Sequence, residues 1–219
     1  MRRARIAVSA LLAALALSGC ATAAPTIAPS GVDELTIPTP SPRPSDFVSA
    51  IDNRWLPLAA GNKWNYDITL GTARGERTVT VLEDSVTIAG LGATVVVTEV
   101  TGDVEVAPTR DYYAQDRAGN VWWLGREGVW RAGVDGAEAG LAMPAVPRIG
   151  DGWRAGFAPG VVEDRLSVSV VDDHLLTLHA ASNLTPGVLV SQEYVRDIGL
   201  VRTEALGGPL ASSQITAGP

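Results

Sequence analysis

The chain has 219 residues, a formal net charge of −7, two histidines and a single cysteine. One cysteine excludes an internal disulfide and a thiolate metal cluster, so stability must come from burial. An acidic chain without basic clusters excludes nucleic acid and anionic membrane headgroups as partners of its surface.

Residues 1–19 read as an export leader. Arg2, Arg3 and Arg5 make a positive start, and Ile6 to Leu17 form an apolar run too short to span a bilayer. "LSGC", Leu17 to Cys20, supplies a small-residue cleavage box. The order of these parts, with the one cysteine at the end, resembles a bacterial lipoprotein signal. That resemblance implies acylation of the Cys20 sulfur, a palmitate-type modification, and an extracytoplasmic place on the cell membrane. Two acyl chains bury about 28 methylenes at ~0.8 kcal/mol each, enough for stable anchoring. An ordinary cleaved secretory signal is the alternative. Losing Arg2, Arg3 and Arg5 takes the net charge from −7 to −10.

Residues 20–46 follow as a tether. The stretch 21–46 holds six of the 14 prolines among many Ser, Thr and Ala, a composition that favours an extended, unpacked segment. A short helix is possible over 46–52, "DFVSAID", with Ser45 as its cap.

From there the pattern becomes that of strands. "WNYDITL" (64–70), "ERTVTVLED" (76–84) and "ATVVVTEV" (93–100) alternate or run β-branched, with glycines between them. Further strands are expected over 104–115, 120–127, 162–171, 174–180, 188–196 and 199–206. Spacing of this kind predicts one all-β, antiparallel domain over 47–216: a curved sheet, half-barrel or sandwich. The interval 132–160 is rich in Gly, Ala and Pro but carries Met143, Trp153 and Phe157, so it reads as a long ordered loop covering one face.

The chain has six Trp, four Tyr and two Phe, and five of these lie between Tyr112 and Trp130. "QDRAGN" predicts a hairpin with a type I turn at Asp116 and Gly119 in the left-handed position. Pairing Asp116 with Asn120 sets Tyr113 opposite Trp123, Ala114 opposite Trp122 and Tyr112 opposite Leu124. Tyr112, Ala114, Trp122 and Leu124 then share one face, and Tyr113, Gln115, Val121 and Trp123 the other. A ribbon with large aromatics on both faces is covered on both. The 132–160 segment is the simplest cover, and a ligand stacked on a tryptophan is the other. "DRAGNVWWLG" also looks like a propeller blade motif, but it occurs once and a propeller needs several copies.

Four stretches together resemble a family of uncharacterised secreted or lipid-anchored bacterial β-proteins. They are "IDNRWLPLAAGNKWNYD" (51–67), "RDYYAQDRAGNVWWLG" (110–125), "GVDGAEAGLAMPAVPRIGDGWRAGFAPGVVEDRLSV" (133–168) and "LTPGVLVSQEYVRDIGLVRTE" (184–204). Relatives usually have Pro where this chain has Arg54, and often a Cys within 174–183, where it has "HLLTLHAASN". The resemblance implies an envelope location and an antiparallel sheet, and it carries no catalytic residue.

Candidate chemistry is sparse. His174 and His179 stand five apart, on opposite faces of one strand, which does not suit a shared metal. Glu163 and Asp164 are adjacent and point oppositely, so they do not flank one bond. Asp135 and Asp151 precede glycines as turn residues. The sequence therefore leads to a non-catalytic binding or carrier module for an apolar or sugar-like ligand. Its ligand-binding residues are Trp122, Trp123, Trp153, Met143 and Tyr113, and it calls for no cofactor and no metal. Two alternatives stand beside it: a structural lipoprotein that binds an envelope protein partner, and a hydrolase with dispersed carboxylates.

Overall fold

A computed structural model of the protein describes residues 44–219. The leader, Cys20 and nearly all of the tether lie outside the described residues. A 3-10 turn at Pro44–Asp46 leads into β1 (Phe47–Val48). The short helix considered over 46–52 does not form, because Phe47 and Val48 pair instead with Asp116 and Gln115. Sheet pairing there satisfies backbone groups that an isolated single turn of helix would leave open.

Thirteen further strands follow: β2 (Lys63–Leu70), β3 (Ala73–Ile88), β4 (Leu91–Gly102), β5 (Thr109–Asp116), β6 (Val121–Arg126), β7 (Trp130–Arg131) and β8 (Gly140–Met143). They continue with β9 (Gly152–Ala158), β10 (Val162–Val171), β11 (Leu175–Ser182), β12 (Leu189–Val195), β13 (Gly199–Gly207) and β14 (Ala211–Ala217). All pairings are antiparallel, and one path runs β6-β5-β4-β3-β2-β14-β13-β12-β11-β10-β9. Of the curved shapes open to the sequence, the one adopted is a single, nearly closed, barrel-like sheet.

The 132–160 interval makes the closure. It is ordered, as its apolar residues demand, but it enters the sheet rather than lying over one face. β8 pairs with the free edge of β6, Leu141 opposite Trp122 and Gly140 opposite Trp123. Just before β8, Glu138 bridges to Phe157 of β9, its N–H donating to the Phe157 carbonyl at 2.8 Å. Small residues make this approach possible: a Cβ at Gly140 would stand 2.0 Å from the Ala155 carbonyl oxygen.

The hairpin register follows local chemistry. Gln115, Ala114 and Tyr113 pair with Val121, Trp122 and Trp123, and Asp116 N–H donates to the Asn120 carbonyl at 2.9 Å. Gly119 has φ 90°. Beyond Trp123 a bulge intervenes, and Tyr112 faces Gly125 instead of Leu124. Gly125 has φ 148°, and a Cβ there would meet the Trp130 carbonyl oxygen at 2.5 Å. One added residue moves Arg126 opposite Asp111 and turns its side chain to the face that Asp111 already shares with Tyr113.

Candidate functional site

The face carrying Tyr113 and Trp123 looks into the barrel, onto a cavity of about 510 Å³. Registers carry this inward face around the sheet, from Arg77 to Tyr66 and, on the far side, from Ser213 through Thr203 and Gln192 to Leu178. One end is stopped by the segment before β2, whose Leu56 and Leu58 line the cavity. At the opposite end Thr185 and Val188, from the β11–β12 turn, line it.

Asn53 holds the stopper in place. Its Nδ2 donates to the carbonyls of Gly119 at 2.8 Å and Pro144 at 3.2 Å, and its Oδ1 accepts from Trp55 N–H at 2.9 Å and Leu56 N–H at 3.1 Å. Its own N–H donates to Gln115 Oε1 at 2.9 Å. One side chain thus joins the stopper to the hairpin turn and to the chain just after β8.

The cavity has two polar centres. In the first, Asp111 accepts from Arg126 Nε at 2.8 Å, Arg126 Nη2 at 3.1 Å and Trp123 Nε1 at 3.0 Å. The Asp111 side chain is 7% exposed and that of Arg126 39%. Burial pulls the Arg126 guanidinium down, but hydrogen bonding and attraction from Asp111 more than offset it, and its pKa is raised overall. Asp164 lines the same region and adds to that attraction. Burial, with the charge of Asp111, pushes the neighbouring Tyr113 phenol well above its ordinary range.

The second centre is a belt across β3, β2, β14, β13 and β12. Arg77 lies over the Tyr66 ring, 4.2 Å from its centroid, and its Nη2 donates to Ser213 Oγ at 3.1 Å. Ser213 and Thr203 share a hydroxyl contact of 2.8 Å, and Tyr194 donates to Gln192 Oε1 at 3.1 Å. Tyr66 donates to the Leu200 carbonyl at 2.9 Å. Burial raises Tyr66 to about 12 and raises Tyr194 as well. Burial also lowers the Arg77 pKa, countered in part by Tyr66 and Tyr194 and, among the described residues, by no carboxylate. The Arg77 Nε is buried without a hydrogen-bond partner among the described residues.

Of the five residues singled out for ligand binding, the structure brings Tyr113 and Trp123 to the cavity. Trp122, Met143 and Trp153 are in the packed core at 3%, 0% and 6% exposure and do not line it. Trp122 donates to Asp116 Oδ2 at 2.9 Å and Trp153 to the Leu141 carbonyl at 2.7 Å, so both indoles are satisfied by protein. Glu163 turns away, accepting from Gly160 N–H at 3.2 Å, whereas Asp164 faces inward. His174 sits in the exposed turn after Asp172, whose carboxylate is held below its usual range by the N–H groups of His174 and Leu175. Among the described residues no three His, Cys, Asp or Glu side chains converge as a metal site.

No protein family, no curated protein and no solved structure matches the chain. The site must be read from its own residues.

Arg77, Tyr66, Tyr194 and the Asp111–Arg126 pair are the residues that sequence reading passed over. Arg77 carried a signal: it is in phase with Val79 and Val81, a charge on the apolar face of its strand. Arg126 carried none, since its direction depends on the bulge at Gly125.

Proposed function

We propose that this protein is a lipoprotein held by Cys20 on the extracytoplasmic face of the cell membrane, whose barrel is a non-catalytic binding or carrier module for an apolar or sugar-like ligand. The observation that carries the reading is the cavity of about 510 Å³, walled by the rings of Tyr113, Trp123, Trp64 and Tyr66. Small-molecule sites run from about 300 to 1,000 Å³ and combine apolar walls with a few placed polar groups. The leader and its cysteine box supply the address, and the resemblance to envelope β-proteins agrees with it.

Two measurements test this. Native mass spectrometry of the protein purified from its own host is expected to reveal a bound small molecule that denaturation releases. Tryptophan emission is expected to shift when lipid or sugar extracts are added, because Trp64 and Trp123 line the cavity. A bare mass together with an unmoved spectrum sinks the binding reading. The anchor is tested separately: Cys20→Ser is expected to abolish incorporation of labelled palmitate and to release the protein from membranes.

A hydrolase remains the competing reading because two carboxylates, Asp111 and Asp164, line one cavity. The saturation of Asp111 by four donors, Thr109 Oγ1 being the fourth, weighs against it as an acid or base.

A further inference from the structure

The Arg77 guanidinium is a cation set into the cavity wall with a neutral environment. It touches the Tyr66 ring and Ser213 Oγ, and among the described residues no carboxylate pairs with it. Of the other arginines on the cavity, Arg126 is held by Asp111 through two hydrogen bonds, and Arg165 is exposed and donates to Asn183 Oδ1. Burying a cation without a counter-charge is costly, and a protein keeps such a group where something else supplies the charge. A planar guanidinium matches a carboxylate or phosphate in two-point hydrogen bonding.

We infer that Arg77 is the head-group anchor of the cavity, and that the ligand is an amphiphile with one anionic head, a carboxylate or a phosphate, on an apolar chain. This rests on the binding reading proposed above. The head sits beside Arg77 and Tyr66, with Ser213 behind holding the guanidinium, and the chain runs along the apolar walls toward Trp123. The surface gives no help to an anion, since the chain without its leader arginines carries −10 against −7 with them. Any preference for an anion must therefore come from inside the barrel. Among the described residues, Arg77 is the half-buried cation of the wall that no protein carboxylate holds.

The test uses the full chain and four twelve-carbon probes: dodecanoate, dodecyl phosphate, 1-dodecanol and dodecylamine. Binding is read from tryptophan emission below each probe's micelle concentration. One charge-assisted hydrogen bond implies at least ~10-fold tighter binding of an anionic probe than of the alcohol. The amine is expected to bind weakest. Which of the two anions binds tighter assigns the head as carboxylate or phosphate. Arg77→Met is expected to erase the preference while leaving the alcohol bound, and Arg77→Gln is the second choice if the methionine variant does not fold. Equal binding of acid, alcohol and amine overturns the head-group assignment and leaves the cavity reading intact. So does a preference that survives in the Arg77 variant. Failure of all four probes to bind overturns the apolar-ligand reading of the cavity, and the assignment with it.

Discussion

The indole of Trp123 fills the space that a side chain at Gly156 would need. A Cβ at Gly156 would stand 2.7 Å from Trp123 Cζ3 and 2.9 Å from Val162 Cγ1. Trp123 belongs to β6 and Gly156 to β9, the strands on either side of β8, so this contact spans the closure of the barrel. A rigid ring in a packed wall does not give way easily. Gly156→Ala is expected to cost about 1–3 kcal/mol, and Gly156→Val more. The readout is a lower urea midpoint at unchanged slope. An unchanged midpoint would show that the indole swings aside freely.

Asn53 is expected to control the stopper end of the barrel. Asn53→Ala leaves the Trp55 and Leu56 N–H groups and the Gly119 and Pro144 carbonyls without their present side-chain partner. At about 1 kcal/mol for each lost bond, the variant is expected to be less stable by roughly 2–4 kcal/mol. Amide exchange over 51–58 is expected to quicken more than that of the barrel strands. Uniform quickening would mean that the segment does not open locally.

Asp111 links two aromatic and cationic neighbours, and removing it exposes their cost separately. Asp111→Ala leaves the Trp123 N–H without an acceptor, while Arg126, already 39% exposed, turns to water. A destabilisation of about 1–3 kcal/mol is expected, most of it from the indole. In a double-mutant cycle with Arg126→Met the coupling is expected to stay near about 1 kcal/mol, because the cation of the pair reaches water although Asp111 is buried. A much larger coupling would mean that the ion pair itself holds the bulge.

Alkaline pH is expected to unfold the barrel through its inward tyrosines. Burial raises Tyr66 from 10.0 to about 12, and Tyr113 and Tyr194 are raised too. Between those two values the folded chain binds more protons than the unfolded one, so stability falls as pH rises. The contribution is whole below about pH 10 and is lost as pH climbs through about 12. Tyr66 alone accounts for on the order of 2 kcal/mol. Urea midpoints at pH 8, 10 and 11 check this, alongside phenolate absorbance. Full ionisation of all four tyrosines at pH 10.5 without loss of structure would contradict it.

The legible parts were those governed by neighbours in sequence. Asp116 and Gly119 fix their turn by an Asx hydrogen bond and a left-handed glycine, and the pairing of Tyr113 with Trp123 follows from the alternation of strands. "GLAM", by contrast, has neither the length nor the β-branched content that marks a strand. It becomes β8 because β6 and β9 lie on either side of it. The cavity residues divide the same way. Tyr113 and Trp123 were readable from a two-residue period, while Trp122, Met143 and Trp153 looked equally aromatic or soft and turned out to be core.

Composition, alternation and turn chemistry settled that this chain makes antiparallel strands and which side chains share a face, because those are contacts between near neighbours. Only the tertiary structure decided that the sheet curls until β8 meets β9, that a bulge turns Arg126 onto Asp111, and that Arg77 faces the hollow with no carboxylate paired to it among the described residues. Each of these depends on residues far apart in the chain coming within van der Waals reach, and no local period records such distances.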